Sequence, residues 1–528
     1  MGHWDHHARP NRTTKLSVAF AAALALSTVA VASGAGAVPP SSSHVRGARV
    51  LRVGTWHGIR GQYSSIQAAV DGARPGDWVL IAPGDYHETG SPLAGVLVTT
   101  PDIHLRGLDR NGVVIDGTRT GAPPCSNAPG DQGAPGRNGI EVFEASGVTI
   151  ENLTACNFLS NGGGGNEIWW NGGDGTGTQN LASFAGAYLS ATSTLWQSAD
   201  DPHAEYGIFV SNTTGPGTIA HTYASNMADS DYYVGACPDC NTVIDDAHAQ
   251  FAALGYSGTN SGGHLIIRNS EFDHNNTGLS TNSQNNDDAP SPQDGACPDA
   301  QTGPTGTHSC WLFTHNLVHD NNNASVPRTG SAALGPPGTG IVISGGRNDT
   351  VEQNRFANNG SWAVLVVPFL DTGSPPPIAH CEGGSDLFGA CFFGAWGNEV
   401  AANQFVGNGA FGNATNGDLA DLSDLHDPGN CWHDNVDPNG VTSVPVNLQV
   451  THATCGIPNA GEATLGSELS NQVLCATELL GPCDPSVGQY PHGGAVVMPP
   501  LAPQRTMPKP CAGVPASAWC NGDTGTGE

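Results

Sequence analysis

Lysine is almost missing from this chain: there are two in 528 residues, Lys15 and Lys509. Between Arg137 and Arg268 there is neither Lys nor Arg. A protein that neutralises phosphates needs such side chains in clusters, so nucleic acid is excluded as a partner. Charged residues amount to 12%, and acids dominate them, with 47 Asp+Glu against 18 Lys+Arg. That excess disfavours polyanionic glycans unless cations bridge the charges, and its plainest role is solubility outside the cell.

Long apolar runs are missing too. Leu16 to Val31 is the one apolar and small-residue run, about 16 residues where a spanning helix needs ~20. Arg9, Arg12 and Lys15 precede it and Ala35-Gly36-Ala37 follows, the layout of a secretory signal cut after residue 37. The mature chain then carries 15 basic and 46 acidic side chains, a net −31. A secreted, extracellular protein with no stable membrane span is expected.

Fourteen cysteines, all beyond residue 37, make disulfides the default in that compartment. Cys297 with Cys310, Cys381 with Cys391, Cys475 with Cys483 and Cys511 with Cys520 are candidate loop staples, although spacing does not decide connectivity. Cys237-Pro-Asp-Cys240 has the spacing of a redox or metal motif, with no second CxxC to complete a zinc site. The mature chain's histidines show no pair at ligand spacing, so no metal site is read from them.

Helix patterns are scarce among 72 glycines. The exception is Ser65-Ile66-Gln67-Ala68-Ala69-Val70-Asp71, with a Ser cap, one apolar face and Gly72 to end it. Strands of three to five residues follow, such as Trp78 to Ile81 and Val113 to Gly117, too short for an open-edged sandwich. A unit then recurs: a short strand, an Asn, one apolar residue, and a second Asn five or six positions on. It appears at Asn152/Asn157, Asn269/Asn275, Asn316/Asn321, Asn354/Asn359 and Asn403/Asn408. Asn tolerates the left-handed turn, and stacked amides can bond from coil to coil. A unit that cannot bury its own apolar face must stack, so the pattern predicts an all-β solenoid.

The stretch from Ser65 through Pro75-Gly76-Asp77-Trp78-Val79-Leu80-Ile81-Ala82-Pro83-Gly84-Asp85-Tyr86 resembles the N-terminal cap and first coil of secreted right-handed parallel β-helix proteins. These form the pectate-lyase-like superfamily, with its carbohydrate-binding and sugar-hydrolysis members. The resemblance implies a helix that plugs the first coil and a polysaccharide or cell-envelope glycan as partner. It specifies fold, not reaction, because one scaffold hosts many activities. The expected organisation is a signal peptide at 1–37, a linker at 38–49, the β-helix at 50–430 and a Cys/Pro-rich tail at 431–528. That tail is expected to cover the final coil, and residues 158–200 and 282–308 read as insertions. A monomer is expected.

Glycan cleavage needs carboxylates converging on one exposed face, one protonated and one ionised. The candidates are Asp245, Asp246, Asp273, Asp287 and Asp288, with Arg268 as the one nearby cation. Asp245-Asp246, Gly263-His264 and Arg268 beside Ile267 are similar in order to the polygalacturonase set. The chain departs from it with Gly-Gly-His-Leu, no final Lys and no upstream Asn-Thr-Asp. Asp201-Pro202-His203 shares three residues with an alginate-epimerase motif, but Tyr206-Gly207 follows where Tyr-Gly should precede. Ca²⁺ is a candidate cofactor through Asp239, Asp245, Asp287, Asp288 and Asp294, which match no standard loop spacing. Trp169, Trp170, Tyr232 and Tyr233 are candidate stacking faces for sugar rings. The chain is therefore expected to bind or cleave an extracellular polysaccharide, as a glycoside hydrolase or a polysaccharide lyase. The alternative is a non-catalytic adhesive or structural solenoid.

Overall fold

The computed structural model describes residues 47–173, 178–197, 202–259, 261–282, 297, 309–371, 385–387, 390–423, 429–458, 466–479 and 481–521. These form a right-handed parallel β-helix of twelve coils, each with up to three strands, here called sides 1, 2 and 3. In the middle coils sides 1 and 2 are one bent strand, as in Gly217–Ser225 and Cys237–Gln250. In later coils they separate, as in Ser261–Arg268 and Glu271–Asp273. Side 3 is an eleven-stranded sheet from Ala94–Val98 to Ser443–Val444. Pairing between consecutive coils is parallel throughout these columns, for example Tyr223 with His248 and His248 with Glu271.

Alternation along each strand explains the core. Ile168 and Trp170 point inward while Trp169 points out, and the interior cluster runs from Leu51 to Leu448. Phe272 packs on Phe313, and Phe356 on Phe405, so aromatic rings also stack from coil to coil. The helix Ile66–Asp71 closes the first coil: the Ser65 hydroxyl accepts from Ala68 N at 3.1 Å, and Ile66, Ala69 and Val70 are buried. At the far end the short helix Leu448–Thr451 places Leu448 over the last coil.

The paired asparagines form continuous ladders at the corners. At the corner of sides 1 and 2, Asn316 bonds to Asn354, Asn354 to Asn403 and Asn403 to Asn435. Asn275, Asn321, Asn359 and Asn408 repeat this at the corner of sides 2 and 3. The turn itself is more often made one residue earlier, where Asn269, His315, Gln353 and Ala402 have the left-handed φ. In the first of these coils Ser270 and not Asn269 therefore meets the ladder, its N donating to Asn316 Oδ1 at 2.9 Å. Asn152 and Asn157 are both left-handed and buried.

Three expectations need correction. The described part of 158–200 is built into the coils, because Asn166–Asn171 and Phe184–Thr192 are ordinary strands carrying inward Ile168, Trp170, Phe184 and Leu189. The solenoid also runs past residue 430, since Asn430 and Asn435 continue two ladders and Cys431–His433 pairs with Glu399–Ala401. Finally, the tail does more than cover the last coil. It returns to the first ones, where Arg106 donates to the Ala512 carbonyl and Trp519 Nε1 to Ile59 O at 3.0 Å. Val514, Trp519 and Cys520 thereby cover Leu80, Ala82 and Leu108, which face outward there. Trp519→Ala should lower unfolding stability by about 3 kcal/mol, read by thermal melting; an unchanged melting temperature would mean the strap does not hold the first coils.

Disulfides join Cys297–Cys310, Cys475–Cys483 and Cys511–Cys520 as expected. Cys237–Cys240, Cys125–Cys156 and Cys431–Cys455 complete the described set, so the CxxC is a bonded pair. Cys381 lies outside the described residues.

Inside the coil, Glu167 and Asp231 occupy a side-3 row otherwise held by residues such as Gly139, Gly207 and Gly255. Burial drives both carboxyls far up, as it does Asp349. Asp229 is pushed up to about 8, by burial first and then by the charge of Glu205. A folded pKa above the unfolded 3.8 gives stability that is complete below that value and lost as pH climbs towards 8. Chemical denaturation should show falling stability from about pH 5 to pH 8, with Asp229 alone contributing about 1.4 kcal/mol per pH unit. Asp229→Asn should remove about one proton from that slope; a wild-type stability flat over the range would contradict the burial of these acids.

Candidate functional site

Side 2 of coils 6 to 9 is where titratable groups converge. Its outward positions form two rows in parallel register. Tyr223, His248 and Glu271 stand in one, and Gln250, Asp273 and His319 in the other. Corner residues with left-handed φ flank the strip, namely His221, Asp246, Asn269 and His315 on one border and Phe251, His274 and Asp320 on the other. Bulky side chains in that conformation cost of order 1 kcal/mol each, and such strain gathers at functional sites. The strands between the borders are three residues long in coils 8 and 9, so the strip is about 10 Å wide.

Asp273 is its fixed point. The side chain is 4% exposed and is bonded by His248 Nε2 at 2.6 Å, Gln250 Nε2 at 2.7 Å and His274 Nδ1. Burial alone would raise this carboxyl, but the donors outweigh it and hold it below the usual range. Glu271, more open at 42%, bonds His319 Nε2 at 2.9 Å, while Asp320 takes His319 Nδ1 at 2.7 Å. Burial opposes charge on His319, yet the bonds to Asp320 and Glu271 prevail and raise its pKa above 6.5. Tyr223 is pushed up to about 12 by burial, so its phenol stays protonated and donates to Gln250 Oε1 at 3.0 Å. His248, Glu271 and Asp273 each offer one ligand atom within 4.8 Å of the others, so this trio could also hold a metal.

The residues singled out from sequence fall in several places. Asp273 sits in this strip. Asp246 borders it, bonded to His221 Nδ1 at 2.5 Å. Asp245 accepts from Arg268 Nη2 at 2.8 Å and Asn269 Nδ2 at 2.9 Å, a staple between coils 7 and 8 at the end of side 1. Arg268 is thus paired with Asp245 and separated from Asp273 by the Asn269 corner. Asp287 and Asp288 lie outside the described residues.

The aromatic candidates sit elsewhere, and their faces are taken. Trp170 and Tyr232 are inside the coil at 0% and 1% exposure, with Tyr232 donating to Thr222 Oγ1 at 3.0 Å. Trp169 and Tyr233 are on the outer face of side 3, buried in a cluster with Tyr206 and Phe209. Trp169 lies flat on Phe209 at 4.9 Å between ring centres and is 8% exposed, so its rings are not open to a sugar.

Sequence spacing missed His248, Gln250, Glu271 and His319. Their partners are 23 to 48 residues away, in neighbouring coils. A signal was present in Asp273-His274-Asn275 and His319-Asp320-Asn321, where an acid and a His precede a ladder Asn.

No protein-family model matches the chain, and no curated protein matches it. Solved structures do. The A-module of the mannuronan C-5 epimerase AlgE4 of Azotobacter vinelandii is 15% identical, over 70% of this chain and 90% of that one, with a TM-score of 0.44. An alginate lyase from Paenibacillus sp. is 14% identical over 68% and 95%, with a TM-score of 0.34. A tailspike protein of E. coli bacteriophage HK620, in complex with a pentasaccharide, is 13% identical over 74% and 60%, with a TM-score of 0.36. Scores of this size carry no argument, and the coil register described above establishes the fold by itself.

Proposed function

We propose that the outward strip of side 2 binds and cleaves an extracellular polysaccharide of neutral or weakly charged sugars. The observation that carries this is the axial array of His248, Asp273, Glu271 and His319. It couples a buried ionised carboxylate to one imidazole and a proton-bearing imidazole to a second, more open carboxylate. Neighbouring coils are ~4.8 Å apart, so coils 6 to 9 present about 15 Å of donors and acceptors in a line, a shape suited to a linear polymer.

Asp273 positions His248, as the buried Asp of a catalytic triad positions its His. His248 takes a proton from a water whose oxygen attacks the anomeric carbon. The glycosidic C–O bond breaks, and the leaving oxygen takes its proton from His319 Nε2, which exchanges its bond to the more open Glu271 for one to that oxygen while Asp320 keeps Nδ1. Between them these groups supply the base and the acid that the reaction requires.

The test is incubation of the secreted protein with a panel of neutral and uronate polysaccharides, with and without Ca²⁺. New reducing ends without unsaturated product support hydrolysis. Ultraviolet-absorbing unsaturated ends would replace the attacking water by proton abstraction from the sugar. Retention of a glycan without cleavage, or no retention at all, would favour the adhesive or structural solenoid.

A further inference from the structure

A second cluster stands at the other end of side 2, on coils 2 and 3. Asp85 is on strand Gly84–Tyr86, His87 follows it directly, and Asp116 ends strand Val113–Asp116 of the next coil. We propose that Asp85, His87 and Asp116 hold a divalent metal ion of the Zn²⁺ class, with water completing its coordination.

One ligand atom from each residue lies within 4.8 Å of the other two. Zinc bonds to imidazole nitrogen and carboxylate oxygen are about 2.0–2.2 Å, so a small rotation of the outermost side chain, Asp85, completes the set.

The orientation of His87 is the first argument. Its Nδ1 is 2.8 Å from the carbonyl oxygen of Thr118. A carbonyl only accepts, so Nδ1 carries the proton and Nε2 faces Asp85 Oδ2 at 3.0 Å. A ring nitrogen and a carboxylate oxygen at that distance need a cation between them, a second proton or a metal. Fixing one imidazole nitrogen on a backbone carbonyl is how metal-binding histidines are usually aimed.

Asp116 is prepared in the same way. It is 2% exposed and receives Thr118 N at 2.7 Å on one oxygen and Cys125 N at 2.8 Å on the other. The Cys125–Cys156 disulfide anchors the loop that supplies the second donor. Each oxygen keeps a lone pair. Burial, and after it the nearby Asp116, disfavours charge on Asp85, and a metal ion would offset both.

Thr118 supplies an independent observation. Its amide and carbonyl hold Asp116 and His87, yet its own hydroxyl is buried without a partner, in a residue 4% exposed. A metal-bound water would satisfy it. A cavity of about 420 Å³ beside the capping helix, lined by Ser65, Gln67, Asp85, His87 and Glu88, gives an ion its way in. One imidazole and two carboxylates suit a borderline ion such as Zn²⁺ better than Ca²⁺, which prefers six to eight oxygens.

The test uses the full secreted chain, stripped with a chelator and dialysed against Zn²⁺, with bound metal counted by elemental analysis. The expected result is an equivalent of Zn²⁺ that is lost in His87→Gln and kept in His248→Gln, with the apparent affinity of Asp85→Asn down about tenfold or more. Co²⁺ in place of Zn²⁺ should give visible absorption bands that vanish with His87→Gln. Far-ultraviolet dichroism of the metal-free variants confirms that they fold, and Asp85→Asn decides the matter if His87→Gln does not. No stoichiometric binding, or full binding in the folded His87 and Asp85 variants, would leave a plain His87–Asp85 ion pair and overturn the proposal.

Discussion

Replacing His248 with Gln is expected to cut polysaccharide cleavage by roughly 10²–10⁴-fold, the usual loss on removing a general base. Gln keeps a donor for Asp273 but cannot take a proton, so the buried carboxylate remains satisfied and the fold should hold. The effect should fall on kcat, with KM little changed, because the water and not the bound sugar loses its partner. His319→Gln should remove the alkaline limb of the pH profile, since the raised pKa of His319 sets that limb. The control is His433→Gln. His433 is clamped by Glu399 at 3.0 Å and Asp434 at 2.9 Å, the same arrangement as His319, but on side 1 of coils 11 and 12. A loss of activity there equal to that of His248→Gln would show that such clamps matter for the coil and not for chemistry.

The second large effect concerns the ladder. Asn354→Ala is expected to lower stability by about 3–5 kcal/mol. The Asn354 side chain accepts from Asn316 N at 2.9 Å and from Asn316 Nδ2 at 3.1 Å, and donates to Phe313 O at 2.9 Å and to Asn403 Oδ1 at 3.1 Å. The residue is 1% exposed, so the four groups it abandons stay buried and water does not replace it. Each orphaned group costs about 1–3 kcal/mol, and Ala returns little apolar contact in exchange. In a solenoid each coil leans on its neighbours, so the loss should appear as a lower melting temperature with earlier unfolding of coils 9 to 11 by hydrogen exchange. A change below about 1 kcal/mol would mean the ladder only decorates the corner.

How much of this could be read beforehand differs between fold and site. Asn316, Asn354 and Asn403 announce the coils because each repeats one local event, a strand followed by a corner. The helix at Ser65 announces the cap through its hydroxyl and apolar face. Chemistry is not local in this architecture. His248 meets Asp273 across 25 residues, but His319 meets Glu271 across 48, because residues 283–308 intervene between their coils. Variable coil length hides a row of side chains from any fixed spacing. Trp170 and Tyr232 show the converse. As aromatic side chains they read as candidate stacking faces, whereas strand alternation with Ile168 and Val234 turns both rings into the core. Arg106 and Arg110 gave no hint of the returning tail either, since their carbonyl partners lie some 400 residues away.

The most direct measurement is a crystal structure of the Glu271→Gln variant soaked with an oligosaccharide from the polymer the wild type cleaves. The proposal predicts a sugar chain lying along the solenoid axis on side 2, its scissile oxygen within hydrogen-bond reach of His319 and its anomeric carbon facing His248. A chain bound instead on side 3 over Trp169, or along the Asp245–Arg268 staple on side 1, would contradict it.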